Sequence, residues 1–198
     1  MKKMIYVLVI LFLSLTLFSC AKKSDTSSST TTTELEGAWK TSCYIDSDNL
    51  SYYITTISVT GTNLEIKDEV HSDSSCNTDD GILASNFSSL SIGEERTYSS
   101  GSTGHRFTMN LDSIKYTPET TAAVISLLTD RTCGYGDWTL NTEKDITGNT
   151  CGSTTIPSAN TTFLSQYKLV VNNLYLGEFG ITGSYPGSVK NTPVYIKQ

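Results

Sequence analysis

The chain has 198 residues and a formal charge of −6, with 20 acidic side chains against 14 basic ones. An acidic surface without a basic stripe repels nucleic acid and argues against a nucleic-acid partner. No nucleophile elbow, phosphate loop or His-Glu-x-x-His helix occurs either, so the sequence predicts a protein that is not an enzyme and holds neither cofactor nor metal.

The N-terminus carries Lys2 and Lys3, then an apolar run from Met4 to Phe18, then Ser19-Cys20. A charged head, a greasy middle and a small residue before a cut form an export signal. The run is shorter than the roughly 20 residues a bilayer core requires. Leu17-Phe18-Ser19-Cys20 resembles the lipobox of bacterial lipoproteins. That resemblance implies removal of residues 1–19, a diacylglycerol thioether on Cys20 and a protein lipid-anchored to a membrane. Ala21 in place of Asp favours the outer membrane, by analogy with the enteric sorting rule. Residues 20–34 follow as a Ser/Thr-rich tether that cannot bury enough apolar surface to fold. The remaining 35–198 are one domain's worth of chain.

Within that domain the strand signals come first. Residues 51–60 are β-branched and aromatic, and Gly61-Thr62-Asn63 turns the chain. Residues 64–71 alternate, with Leu64, Ile66 and Val70 on one face and Glu65, Lys67, Glu69 and His71 on the wet one. This predicts a solvated imidazole at His71. Phe107, Met109 and Leu111 alternate with Arg106, Thr108 and Asn110. A helix is expected over 118–128, with Thr117 as N-cap, Pro118 in the first turn, and Val124, Leu127 and Leu128 at helical spacing. The segment 133–151 reads as a Gly- and polar-rich excursion. A hairpin over 163–179 turns at Asn172-Asn173, and a short strand lies near Val194-Tyr195-Ile196. The fold class is therefore all-β: an antiparallel up-and-down meander closing into a barrel of about eight strands, since closure removes exposed edges.

Of five cysteines, Cys20 is assigned to lipid, leaving Cys43, Cys76, Cys133 and Cys151. An even number in an exported chain predicts two disulfides. Three connectivities are open, and Cys43–Cys76 with Cys133–Cys151 is preferred because each pair brackets one coherent segment. No Cys-x-x-Cys spacing suggests a metal instead.

Gly37-Ala38-Trp39 at the start of the first strand resembles the Gly-x-Trp that opens lipocalin barrels. The resemblance implies barrel-end packing by Gly37 and Trp39. It also implies a basic residue stacking on that Trp from near the last strand, for which Lys190 is the nearest candidate. A longer series is similar to a group of small calycin-like bacterial lipoproteins to which no activity attaches. It comprises Gly37-x-Trp39-x-x-x-Cys43, Ser72-Asp73-Ser74-Ser75-Cys76, Thr117-Pro118, Cys133-Gly134-x-x-Asp137-Trp138, Lys144-Asp145-Ile146-Thr147-Gly148-x-x-Cys151 and Asn173-Leu174-Tyr175-Leu176-Gly177. That resemblance supports the local disulfide pairing.

Two functions follow as expectations. One is a binding protein whose barrel holds a small apolar ligand, with Ile57, Leu64, Ile66, Phe107, Met109 and Leu111 lining the cavity. The other is a surface interaction protein (an adhesin, envelope assembly factor or inhibitor) that meets a protein partner through loops such as 133–151.

Overall fold

Strand-forming sequence dominates the folded region, and the described residues form twelve strands and one α-helix. The computed structural model describes residues 33–46, 51–97, 103–181, 183 and 185–198. The expected export signal, the expected lipid attachment at Cys20 and the expected tether up to residue 32 lie outside the described residues. The strands are β1 (Gly37–Lys40), β2 (Tyr44–Ile45), β3 (Tyr52–Thr60), β4 (Asn63–His71), β5 (Asp79–Thr97), β6 (Thr103–Pro118), β7 (Lys144–Asp145), β8 (Thr150–Cys151), β9 (Thr154–Thr155), β10 (Thr162–Val170), β11 (Asn173–Leu176) and β12 (Tyr195–Lys197). The helix, α1, is Thr121–Thr129.

Neighbours run β1-β12-β11-β10-β6-β5-β4-β3, and β3 pairs back onto β1, so eight antiparallel strands close into an up-and-down barrel. The architecture is lipocalin-like. β2 extends the β3 edge, β7 pairs the upper part of β6, and β8–β9 form a separate small hairpin. Register fixes the inner face. Thr55, Ile57 and Val59 of β3 stand opposite Asp68, Ile66 and Leu64 of β4. Leu64 stands opposite Phe87, Phe87 opposite Leu111, Met109 opposite Phe163, and Leu174 opposite Tyr195. Pairing shifts interrupt β4–β5 at Val70/His71 and β5–β6 at Asn86/Phe87, Ser88/Ser91 and Ile92/Glu95. Such bulges bend and twist long strands, and here they let β5 and β6 curl around the core instead of lying flat.

One end of the barrel is sealed by its own entering chain. Leu35 is 2 % exposed and Trp39 1 % exposed, and the indole Nε1 donates to Leu35 O at 2.8 Å. From the same segment, Glu34 Oε1 accepts from the Tyr167 hydroxyl at 2.6 Å on the far wall, while Glu36 Oε2 accepts from Gly61 N at 3.0 Å. The residues before β1 thus cross the barrel end from β1 toward β10. Trp39 is the seal expected of Gly37-Ala38-Trp39, but the stacking cation is Lys197, whose Nζ lies 5.1 Å from the ring centroid. Lys190 pairs instead with Glu178 at 3.2 Å. The reason is register: β12 sets Lys197 directly opposite Trp39.

Two boundaries move relative to the sequence expectation. Pro118 still belongs to β6, opposite Gly81, so the helix starts later, capped by the Thr120 side chain accepting from Ala123 N at 3.0 Å. The last hairpin turns at Val171-Asn172, and Val171 takes φ 58° with its side chain 92 % exposed, while Asn173 already pairs with Val170.

Both disulfides join the sequence-local partners, Cys43–Cys76 across the β2 edge and the β4–β5 loop, and Cys133–Cys151 across the excursion. That excursion packs inward. Trp138 and Ile146 are buried, and Trp138 stands edge-on to Tyr116 of β6 at 5.9 Å and to Tyr135 at 5.5 Å.

Candidate functional site

The barrel interior divides into two layers. Toward the sealed end, Trp39, Ile57, Val59, Leu64, Phe107, Met109, Leu111, Tyr167 and Leu174 form a packed core. Above it lies a cavity of about 350 Å³ lined by Thr55, Ile66, Asp68, Ser85, Phe87, Ile114, Phe163 and Tyr195, with Tyr44, Pro157 and Phe179 around the rim. Its walls come from β3, β4, β5, β6, β10 and β12, so it lies among the barrel strands, and it is open to solvent on one side. The volume falls within the ~300–1,000 Å³ of small-molecule sites. Of the residues expected from the sequence, Ile66 lines this cavity. Ile57, Leu64, Phe107, Met109 and Leu111 lie in the packed layer below it.

A wider vestibule of about 650 Å³ adjoins the cavity and shares Tyr44, Phe179 and Tyr195 with it. Its other walls include Ile45 and Asp46, the end of β11 at Leu176, Gly177 and Glu178, and Lys190, Thr192 and Pro193 from the crossing to β12. The opening exists because β11 stops early and the chain then bulges. Gly177 N donates to Gln166 O at 2.7 Å and Gly180 N to Leu164 O at 2.8 Å, so Glu178 and Phe179 loop out between two points still tied to β10. The Ser165 hydroxyl holds this bulge by donating to Glu178 O at 2.9 Å. Phe179 is turned toward Phe107, centroids 6.3 Å apart and edge-on, and is still 37 % exposed through the opening.

One polar relay breaks the apolar wall. The Thr55 hydroxyl donates to Asp68 Oδ1 at 2.5 Å and is itself 2.9 Å from the Tyr44 hydroxyl. The backbone is anchored at the same place: Thr55 N donates to Thr41 Oγ1 at 2.9 Å, and Thr41 N to Thr55 O at 3.0 Å. Among the described residues no Lys or Arg forms an ion pair with Asp68; Lys67, next to it, faces outward and pairs with Glu69 at 3.0 Å. Burial pushes the Asp68 carboxyl above the usual carboxylate range, the Thr55 hydrogen bond opposes this, and the charge of Asp46 adds to the rise. Burial likewise raises the Tyr44 and Tyr195 hydroxyls, so both remain hydrogen-bond donors through neutral pH.

The sign of the Asp68 shift makes a prediction. A carboxyl that holds its proton more tightly folded than unfolded penalises the fold once it ionises. The penalty is absent below the ordinary carboxylate range and fully present above the raised value. Asp68→Asn keeps an acceptor for Thr55 and removes the charge, so at neutral pH the variant is expected to be more stable than the parent. That advantage should disappear as pH falls below about 4. Urea titrations at neutral and acidic pH check it; a variant less stable at neutral pH contradicts the assignment.

No family model and no curated relative matches the sequence. The chemistry of the site is therefore read from its own geometry: an apolar chamber of modest size, aromatic at its rim, with one carboxylate and several hydroxyls at fixed positions. Such a chamber can bury a small molecule and orient it.

Other residues with chemical potential are placed apart from it. His71 is buried on the outer side of β4, contrary to a solvated imidazole, with Nδ1 3.1 Å from Asp79 Oδ1. His71 sits at the pairing shift at Val70/His71, where β4 runs into the loop tied by Cys43–Cys76. His105 stacks on Tyr167 at 5.6 Å at the sealed end, with Nε2 3.7 Å from Glu34. The two imidazoles thus belong to different ends of β4 and β6. Asp68 and Thr55 are cavity-lining residues that sequence reasoning missed. The alternation itself could have found them: Asp68 has the parity of Leu64, Ile66 and Val70, and Thr55 that of Ile57 and Val59.

Proposed function

We propose that this protein is a non-enzymatic, lipid-anchored bacterial lipoprotein that holds a small apolar ligand in the upper chamber of its barrel. The anchor is Cys20 and the location the outer membrane, a reading supported by the Lys2-Lys3 head, the apolar run to Phe18 and Ser19-Cys20. Ligand binding is supported by one observation above all: the inward-facing residues fill the sealed half of the barrel and leave about 350 Å³ open in the other half. Closed eight-stranded barrels have room for one small ligand, and burial of apolar surface supplies the affinity.

Prodan, an uncharged naphthalene fluorophore, tests this reading. Saturable binding with a blue-shifted emission is expected. Ser85→Phe, which adds a ring inside the chamber while leaving the packed layer untouched, should weaken binding by about tenfold or more, because a ligand of this class draws its affinity from burial. Equal binding to a folded Ser85→Phe variant, or enhancement that never saturates, contradicts the chamber as the site. Intrinsic tryptophan quenching is the poorer probe, since neither Trp39 nor Trp138 lines the cavity.

A further inference from the structure

An uncharged ligand would leave one feature of the chamber without a use. A carboxylate inside a low-dielectric cavity is costly unless a cation or several donors compensate it. Among the described residues the hydrogen-bond partner of Asp68 is the Thr55 hydroxyl, and none of the ion pairs reaches it. Its carboxylate lies among cavity-lining groups that are aromatic or aliphatic apart from Tyr44, Thr55, Ser85 and Tyr195. The vestibule leading in carries Asp46 and Glu178 against Lys190, and that lysine is already paired with Glu178. The path to Asp68 thus favours positive charge and disfavours negative charge. Two rings at the shared rim, Tyr44 and Tyr195, offer π faces that also stabilise a cation.

Resting on the reading of the chamber as a ligand site, we infer that the ligand is a monoamine on a compact apolar body, its ammonium group paired with Asp68 and its body seated against Ile66, Phe87, Ile114 and Phe163. The ammonium supplies the cation missing from the carboxylate. One of its N–H groups donates a hydrogen bond to the Asp68 carboxylate, and the Tyr44 and Ser85 hydroxyls, which line the same cavity, can accept from the others. Thr55 acts as a positioning residue, since its hydroxyl donates to Asp68 Oδ1 and fixes the carboxylate orientation. A fatty acid is the wrong partner for the same site, because its carboxylate would face Asp68 with no cation between them.

The experiment compares phenethylamine, phenethyl alcohol and phenylacetate on the whole folded protein by isothermal calorimetry and by displacement of bound prodan. Phenethylamine is expected to bind about tenfold or more tightly than the alcohol, a gap typical of one charge-assisted contact in a desolvated site, and phenylacetate least. In Asp68→Asn the amine should fall to the level of the alcohol while the alcohol is unchanged. Alcohol binding equal to or tighter than amine binding in the parent protein overturns the amine assignment and leaves the chamber as an apolar site. Failure of all three compounds and of prodan overturns the chamber reading itself. The comparison among ligands on the unaltered protein needs no variant, so the result stands even if Asp68→Asn folds poorly.

Discussion

Trp39→Ala is expected to destabilise the protein by about 3–5 kcal/mol, the range for removing a large buried aromatic side chain. The residue is 1 % exposed and does three things at once. It fills the sealed end, donates its Nε1 proton to Leu35 O at 2.8 Å, and gives Lys197 a ring face 5.1 Å away. Losing it leaves a void under Leu35 and frees the entering segment, whose other ties are Glu34 to Tyr167 and Glu36 to Gly61. A domain with about 5–15 kcal/mol of total stability cannot absorb such a loss without a large rise in its unfolded population. Trp39→Phe keeps most of the volume and gives up the hydrogen bond, so it should cost clearly less. Urea denaturation followed by far-ultraviolet circular dichroism measures both. Near-equal midpoints for the parent and Trp39→Ala would show that the sealed end contributes little.

Removing either disulfide should cost about as much. The links close loops with sequence separations of 33 and 18 residues. In the chain-entropy account, each constrains the unfolded ensemble by about 3–4 kcal/mol. Because that cost grows only with the logarithm of loop length, the two should differ by only about 0.5 kcal/mol despite their unequal spans. The paired variants Cys43→Ala with Cys76→Ala, and Cys133→Ala with Cys151→Ala, should each lower the melting temperature by roughly 6–16 °C for a chain of this size. Their local consequences differ. The first link ties the β2 edge, which carries Tyr44 at the cavity rim, to the loop over His71. The second holds the excursion that brings Trp138 and Ile146 against the upper part of β6. A melting temperature unchanged by a strong reductant, with reduction verified by thiol titration, would contradict this expectation.

What could be read from the sequence was local, and what escaped it was long-range. The β3–β4 hairpin was legible because Gly61-Thr62-Asn63 separates two clean runs, and the observed strands end at Thr60 and resume at Asn63. The strand Asp79–Thr97 left no such trace. Its inward residues Phe87 and Leu90 are out of step with each other because shifts at Asn86/Phe87 and Ser88/Ser91 break the period of two, and the opposite face mixes Ile82 and Ala84 with Asn86 and Ser88. The helix start was misplaced because Thr117-Pro118 is as good an opening for a helix as Thr120-Thr121. Pairing of Pro118 with Gly81, which is distant in sequence, decided between them. Val171 continues the alternation of Tyr167 and Leu169, yet the turn places it in the solvent.

The candidate site was less legible for a related reason. The six aliphatic and aromatic residues chosen for a cavity share the inward face, but alternation says only which face a residue occupies and nothing of how high it sits along the barrel axis. Height is set by where the entering segment plugs the end, and Leu35 lies just before the first strand in a stretch with no periodicity to read. Asp68 was passed over because a charge on an apolar stripe looks like an exception, whereas its parity was the informative fact. Lys197 was passed over because its role depends on the pairing of β1 with β12, two strands at opposite ends of the described chain.

That seam also governs when the molecule can become itself. β12 supplies Tyr195 opposite Leu174 and lays Lys197 beside Trp39, so no cylinder exists until those residues have been made. Loop closure across the full length of a chain is the slowest kind of folding contact. A nascent polypeptide emerging from the ribosome would remain an open, curled ribbon, with Trp39 waiting for a partner not yet synthesised.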